Sequence, residues 1–91
     1  MSEKGLNVIF KGLVQGVGFR FTVRSLAQRY RIKGWVRNLT DGQVEALLLG
    51  DEDSFGAFFA DLKETFRGNI TDIKKKNIEI DSSFEGFFIE V

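Results

Sequence analysis

Ninety-one residues are enough for one core, and a 43% hydrophobic, 29% charged composition is that of an ordinary globular chain. The absence of Cys and His excludes thiol and imidazole nucleophiles, His-based proton transfer and every Cys/His zinc site, so no cofactor or metal is expected. The formal net charge is zero, but residues 1–37 carry eight basic groups and one acid, and residues 38–91 carry five and twelve. Overall neutrality argues against a general nucleic-acid partner. The basic excess of the first third either serves a small anion or spreads over solvated faces.

The N-terminus has no signal-type apolar run, and no segment approaches the ~18 apolar residues of a membrane span. The expectation is one domain over residues 1–91 of a cytoplasmic, monomeric protein without a membrane partner.

Alternation from Leu6 to Phe10 predicts a first strand over residues 6–13, followed by the loop Gln15-Gly16-Val17-Gly18. From Phe19 the period becomes helical, with Phe19, Val23, Leu26, Ala27 and Tyr30 on one face. Lys33–Leu39 reads as a strand, Thr40-Asp41-Gly42 as a turn and Gln43–Leu49 as the return strand, ended by Gly50.

Asp51 or Asp53 is placed to cap the next helix, with Glu52 favourable in its first turn. Phe55, Phe58, Phe59, Leu62 and Phe66 form its apolar stripe. Gly68 is expected to close this helix in a left-handed conformation, and Gly56 inside it points to a close packing neighbour. Ile70–Ile80 reads as a strand whose Lys74-Lys75-Lys76 discourages edge pairing, and Phe87–Val91 as a short last strand. The order β-α-β-β-α-β predicts an α+β fold, a ferredoxin-like sandwich with two helices on one face of a mainly antiparallel sheet.

Two stretches carry candidate chemistry. In Gly12–Arg20 a strand enters a loop with two glycines and then a helix that begins near Arg20. Glycines let successive N–H groups converge, a helix N-terminus adds unpaired donors, and an arginine fork matches phosphate oxygens. The loop is neither a Walker A sequence nor a dinucleotide fingerprint, and glycines in a strand-to-helix turn often serve sterics alone.

The second stretch ends at Asn38, before the turn. Asn38 suits either of two uses: bonding its own backbone in the turn, or holding a water or oxyanion through a neutral amide.

Taken together, these stretches resemble the acylphosphatase family over nearly the whole chain. One family signature is Gly12-x-Val14-Gln15-Gly16-Val17-x-Phe19-Arg20. The other is Gly34-Trp35-Val36-Arg37-Asn38 with Gly42-x-Val44 and Gly50, and Phe87-x-Ile89 matches the family's C-terminal pattern. The resemblance implies metal-independent hydrolysis of a small-molecule acyl phosphate to a carboxylate and inorganic phosphate. It carries the catalytic roles to Arg20 and Asn38, and phosphate binding to Gln15, Gly16, Val17, Gly18 and Phe19.

Departures from the pattern are Phe10, Leu13, Arg67-Gly68-Asn69 in place of a proline-containing segment, and the terminal Val91. Competing readings are a carbamoyl-phosphate-handling module, a phosphate-binding domain without turnover, an RNA-binding ferredoxin-like domain and a structural role. Leu47-Leu48-Leu49 offers no exposed aromatics for RNA, and the Phe-rich helix is explained as core.

Overall fold

Alternation in the first strand sets the layers of the molecule. A computed structural model describes residues 3–79 and 85–90. In it β1 runs over Lys4–Gly12 and buries Val8 and Phe10 completely. After the glycine loop come α1 (Phe19–Arg29), β2 (Lys33–Asn38), β3 (Val44–Gly50), α2 (Glu52–Thr65), β4 (Ile70–Ile78) and β5 (Phe87–Ile89). Ile80 and Val91, assigned from sequence to strand ends, lie outside the described residues.

The strand order is β4-β1-β3-β2-β5. β3 is antiparallel to both β1 and β2, so those two run parallel with β3 between them. Their C-terminal ends, Gly12 and Asn38, therefore emerge at the same end of the sheet. β5 adds the one parallel pairing, along β2. The expected β-α-β-β-α-β order and mainly antiparallel sheet are both present.

One apolar cluster joins the helices to the sheet. Val8, Phe10, Val36, Val44, Ala46 and Leu48 meet Phe19, Val23, Leu26 and Ala27 of α1 and Phe55, Phe58, Phe59 and Leu62 of α2. The entire predicted stripe of α2, Phe66 included, is buried. Phe58 and Phe59 pack edge to face at 5.2 Å, a geometry that satisfies the ring quadrupoles. Each such side chain contributes up to about 3 kcal/mol on leaving water.

Three local details differ from the sequence reading. α2 stops at Thr65 with Phe66 as its C-cap, and Gly68 (φ 86°) takes its left-handed conformation two residues later, in the turn to β4. Gly56 has no close neighbour: a Cβ there would meet nothing within 4 Å, so the glycine is not a packing requirement. Asp51 is the N-cap residue of α2, but no side-chain hydrogen bond completes the cap.

β4 is an outer strand, and its lysines are exposed as expected of a charged edge. Lys75 does more than face water. Its Nζ lies 4.0 Å from the centre of the Phe59 ring, and partial burial, helped by nearby Lys63, pulls its pKa below the ordinary lysine value.

Candidate active site

The chain leaving β1 is pinned before it enters the loop. Gly12 has φ 123°, and a Cβ at that position would fall 2.0 Å from the Asn69 carbonyl oxygen, so only glycine fits. The Leu13 N–H donates to that same oxygen at 2.8 Å, and Asn69 Nδ2 donates back to the Leu13 carbonyl at 3.1 Å. Val14, 1% exposed, then anchors the loop in the core.

Gly16 and Gly18 are glycine for a different reason. Both are left-handed, at φ 75° and 77°, yet a Cβ on either would meet open space. Among described non-glycine residues only Arg31 has a positive φ, so Val17 between them is right-handed or extended. Where left-handed glycines alternate with right-handed residues, successive N–H groups can turn toward one point, a concave arrangement that suits anions.

Gly18 is also the N-cap residue of α1, where no side chain caps the helix and the first turn holds no acid. The positive end of the helix dipole thus faces the loop without an internal counter-charge. The Phe19 side chain is committed to the core, with its ring 5.1 Å from Phe10 and 4.9 Å from Phe66. That anchor fixes the start of α1 and hence the root of Arg20. Phe19 can offer a ligand only its backbone.

Arg20 is half-buried and, among the described residues, has no carboxylate within 4.0 Å. Arg29, Arg37 and Arg67 are each paired, with Asp61, Glu45 and Glu64. An arginine held half out of water, without a carboxylate partner among the described residues, keeps its fork of donors available to an anion.

Asn38 stands at the last position of β2, opposite Val44. Its Oδ1 is buried and accepts no hydrogen bond among the described residues, so it is an acceptor left for another donor. Gln15 joins the two stretches. Its Nε2 donates to the carbonyls of Leu39 (2.8 Å) and Gln43 (2.9 Å), the residues that flank the β2–β3 turn. The glycine loop is thereby clamped to the hairpin one residue beyond Asn38.

Sequence reasoning gave Gln15 to phosphate binding and did not foresee this clamp. It named Asn69 as part of the departing Arg67-Gly68-Asn69 segment, without a role. Both roles depend on carbonyls more than twenty residues away, to which no local signal points.

Among the described residues no three His, Cys, Asp or Glu side chains gather as metal ligands, and no helix is long and apolar enough to cross a membrane. Clefts of about 780, 420 and 560 Å³ lie along α2, β4 and the opposite end of the sheet, lined by neither Arg20 nor Asn38. Gly16, Val17 and Gly18 are exposed, so the candidate site is open to solvent.

The acylphosphatase family model matches residues 6–89. The chain belongs to the acylphosphatase family. A curated acylphosphatase of Chlorobaculum tepidum is 41% identical over 90 residues, covering 98% of each chain. The crystal structure of the acylphosphatase from Bacillus subtilis superposes with a TM-score of 0.88 at 32% identity, covering 97% of this chain and 99% of that one. A HypF structure from T. kodakarensis is similar over 97% of this chain at 31% identity and a TM-score of 0.85, a match that spans 12% of the HypF chain. Membership assigns the reaction: the protein hydrolyses acyl phosphates, small-molecule substrates.

Proposed function

We propose that Arg20 and the backbone N–H groups of Gln15–Arg20 hold the phosphoryl oxygens while Asn38 holds the attacking water. The observation that carries this division of labour is the Oδ1 of Asn38, buried and without a partner among the described residues. A water that donates one proton to Oδ1 is oriented with its lone pair free to attack. The Gln15 clamp supports this reading by tying the hairpin next to Asn38 to the loop.

The water oxygen bonds to phosphorus on one side while the bond from phosphorus to the acyl oxygen breaks on the other. The electron pair leaves with the carboxylate. One proton of the water passes to a phosphoryl oxygen, so the products are a carboxylate and inorganic phosphate. An acyl phosphate is a reactive anhydride with a weakly basic leaving group, so a strong protein base is not required. The protein contributes position and charge: the guanidinium fork and the converging N–H groups oppose the charge that builds on the phosphoryl oxygens. Metal independence belongs to the same proposal, since every step is assigned to groups of the chain and substrate.

Hydrolysis in oxygen-18-labelled water tests the scheme. Label should enter the phosphate and not the carboxylate. Label in the carboxylate would mean attack at carbon and would overturn the role given to Asn38.

A further inference from the structure

Four large apolar side chains are exposed among the described residues: Leu13 at 73%, Val17 at 45%, Phe21 at 59% and Phe88 at 54%. Single exposed apolar residues are ordinary. Here three of the four fall within residues 13–21, the segment that carries the anion cradle. Apolar surface concentrated around a charged site fits a ligand with a charged head and an apolar body.

Strand order fixes which flank they occupy. In the order β4-β1-β3-β2-β5, the loop leaves β1 with Asn38 two strands away on one side. Leu13 is tied to the other side, through its paired hydrogen bonds with Asn69 just before β4. Val17 lies at the tip of the loop, between the two left-handed glycines. Displacement at phosphorus requires attacking and leaving oxygens to stand nearly in line. With the water on the Asn38 flank, the acyl group leaves toward the Leu13 flank.

We propose that the substrate's acyl group lies across Leu13 and Val17, and that these residues make the enzyme selective for acyl phosphates with an apolar chain. The inference rests on the placement of water and phosphate given above. Because the rim is open to solvent, an acyl chain is only partly covered. Over the four methylenes that separate acetyl from hexanoyl, the gain in kcat/KM is expected to be about tenfold. Phe21, stacked under the Arg24 guanidinium at 5.5 Å, is not required for this contact.

The test is kcat/KM for acetyl, butyryl and hexanoyl phosphate, whose leaving carboxylates are alike in basicity. Wild type should improve along the series. Leu13→Ser should flatten the series, and Leu13→Met should restore it. A flat wild-type series overturns the inference and leaves the hydrolytic mechanism standing. A Leu13→Ser variant that keeps the wild-type slope, or loses equally on all three substrates, also overturns it. Wild type that hydrolyses none of the three removes both the inference and the mechanism beneath it.

Discussion

The seam beneath α2 and the cradle at the end of β1 follow opposite rules. Under α2, Phe55, Phe58, Phe59 and Leu62 are buried against the sheet, and their value lies in being out of water. In the cradle, Leu13 and Val17 stay in water and, among the described residues, Arg20 has no carboxylate partner and Asn38 Oδ1 no donor. The seam is complete within the chain, whereas the cradle holds polar groups that have no partner among the described residues. The difference teaches where stability and reactivity reside in a chain too short to separate them by domain.

Substitutions can test that division. Phe58→Ala should lose roughly 3–5 kcal/mol in urea unfolding while the folded fraction keeps its turnover. A matching loss of turnover in that fraction would tie the two regions together. Arg20→Lys should do the reverse. Its kcat/KM should fall about a thousandfold, equivalent to ~4 kcal/mol, because a point charge cannot reproduce the fork, with the unfolding midpoint nearly unmoved.

Asn38→Ala is expected to lower kcat about a hundredfold while inhibition by inorganic phosphate changes little, which separates the water from the anion. Equal loss of both would make Asn38 a structural residue. Gly16→Ala sharpens the comparison further, since the added methyl meets open space and can act only through φ. It should cost ~1–2 kcal/mol of stability and weaken phosphate inhibition. The smallest effect expected is that of a chelator, which should leave turnover unchanged.

Much of this was legible before the structure, in different ways for the two regions. The α2 stripe could be read because helical period and burial are the same fact seen twice. The candidate cradle was marked in the sequence by two signatures and by the physical sense of glycines followed by arginine. What escaped were features set by distant partners. Gly56 reads as a packing glycine in one dimension and proves to face open space. α2 gives way after Thr65 at its C-cap Phe66, whose ring joins the core beside Phe19, two residues before the glycine that the sequence offered as its terminator. The amide of Gln15 gave no hint that it would be spent on carbonyls of the β2–β3 hairpin.

That amide has a consequence for how the enzyme comes into being. Gln15 reaches residues 24 and 28 positions further along the chain, so the loop acquires its final shape only after β3 has docked between β1 and β2. A nascent or partly refolded chain can possess α1 and the glycine turn and still be inert. Return of turnover during refolding therefore reports a long-range closure event, later than the rise of helical signal.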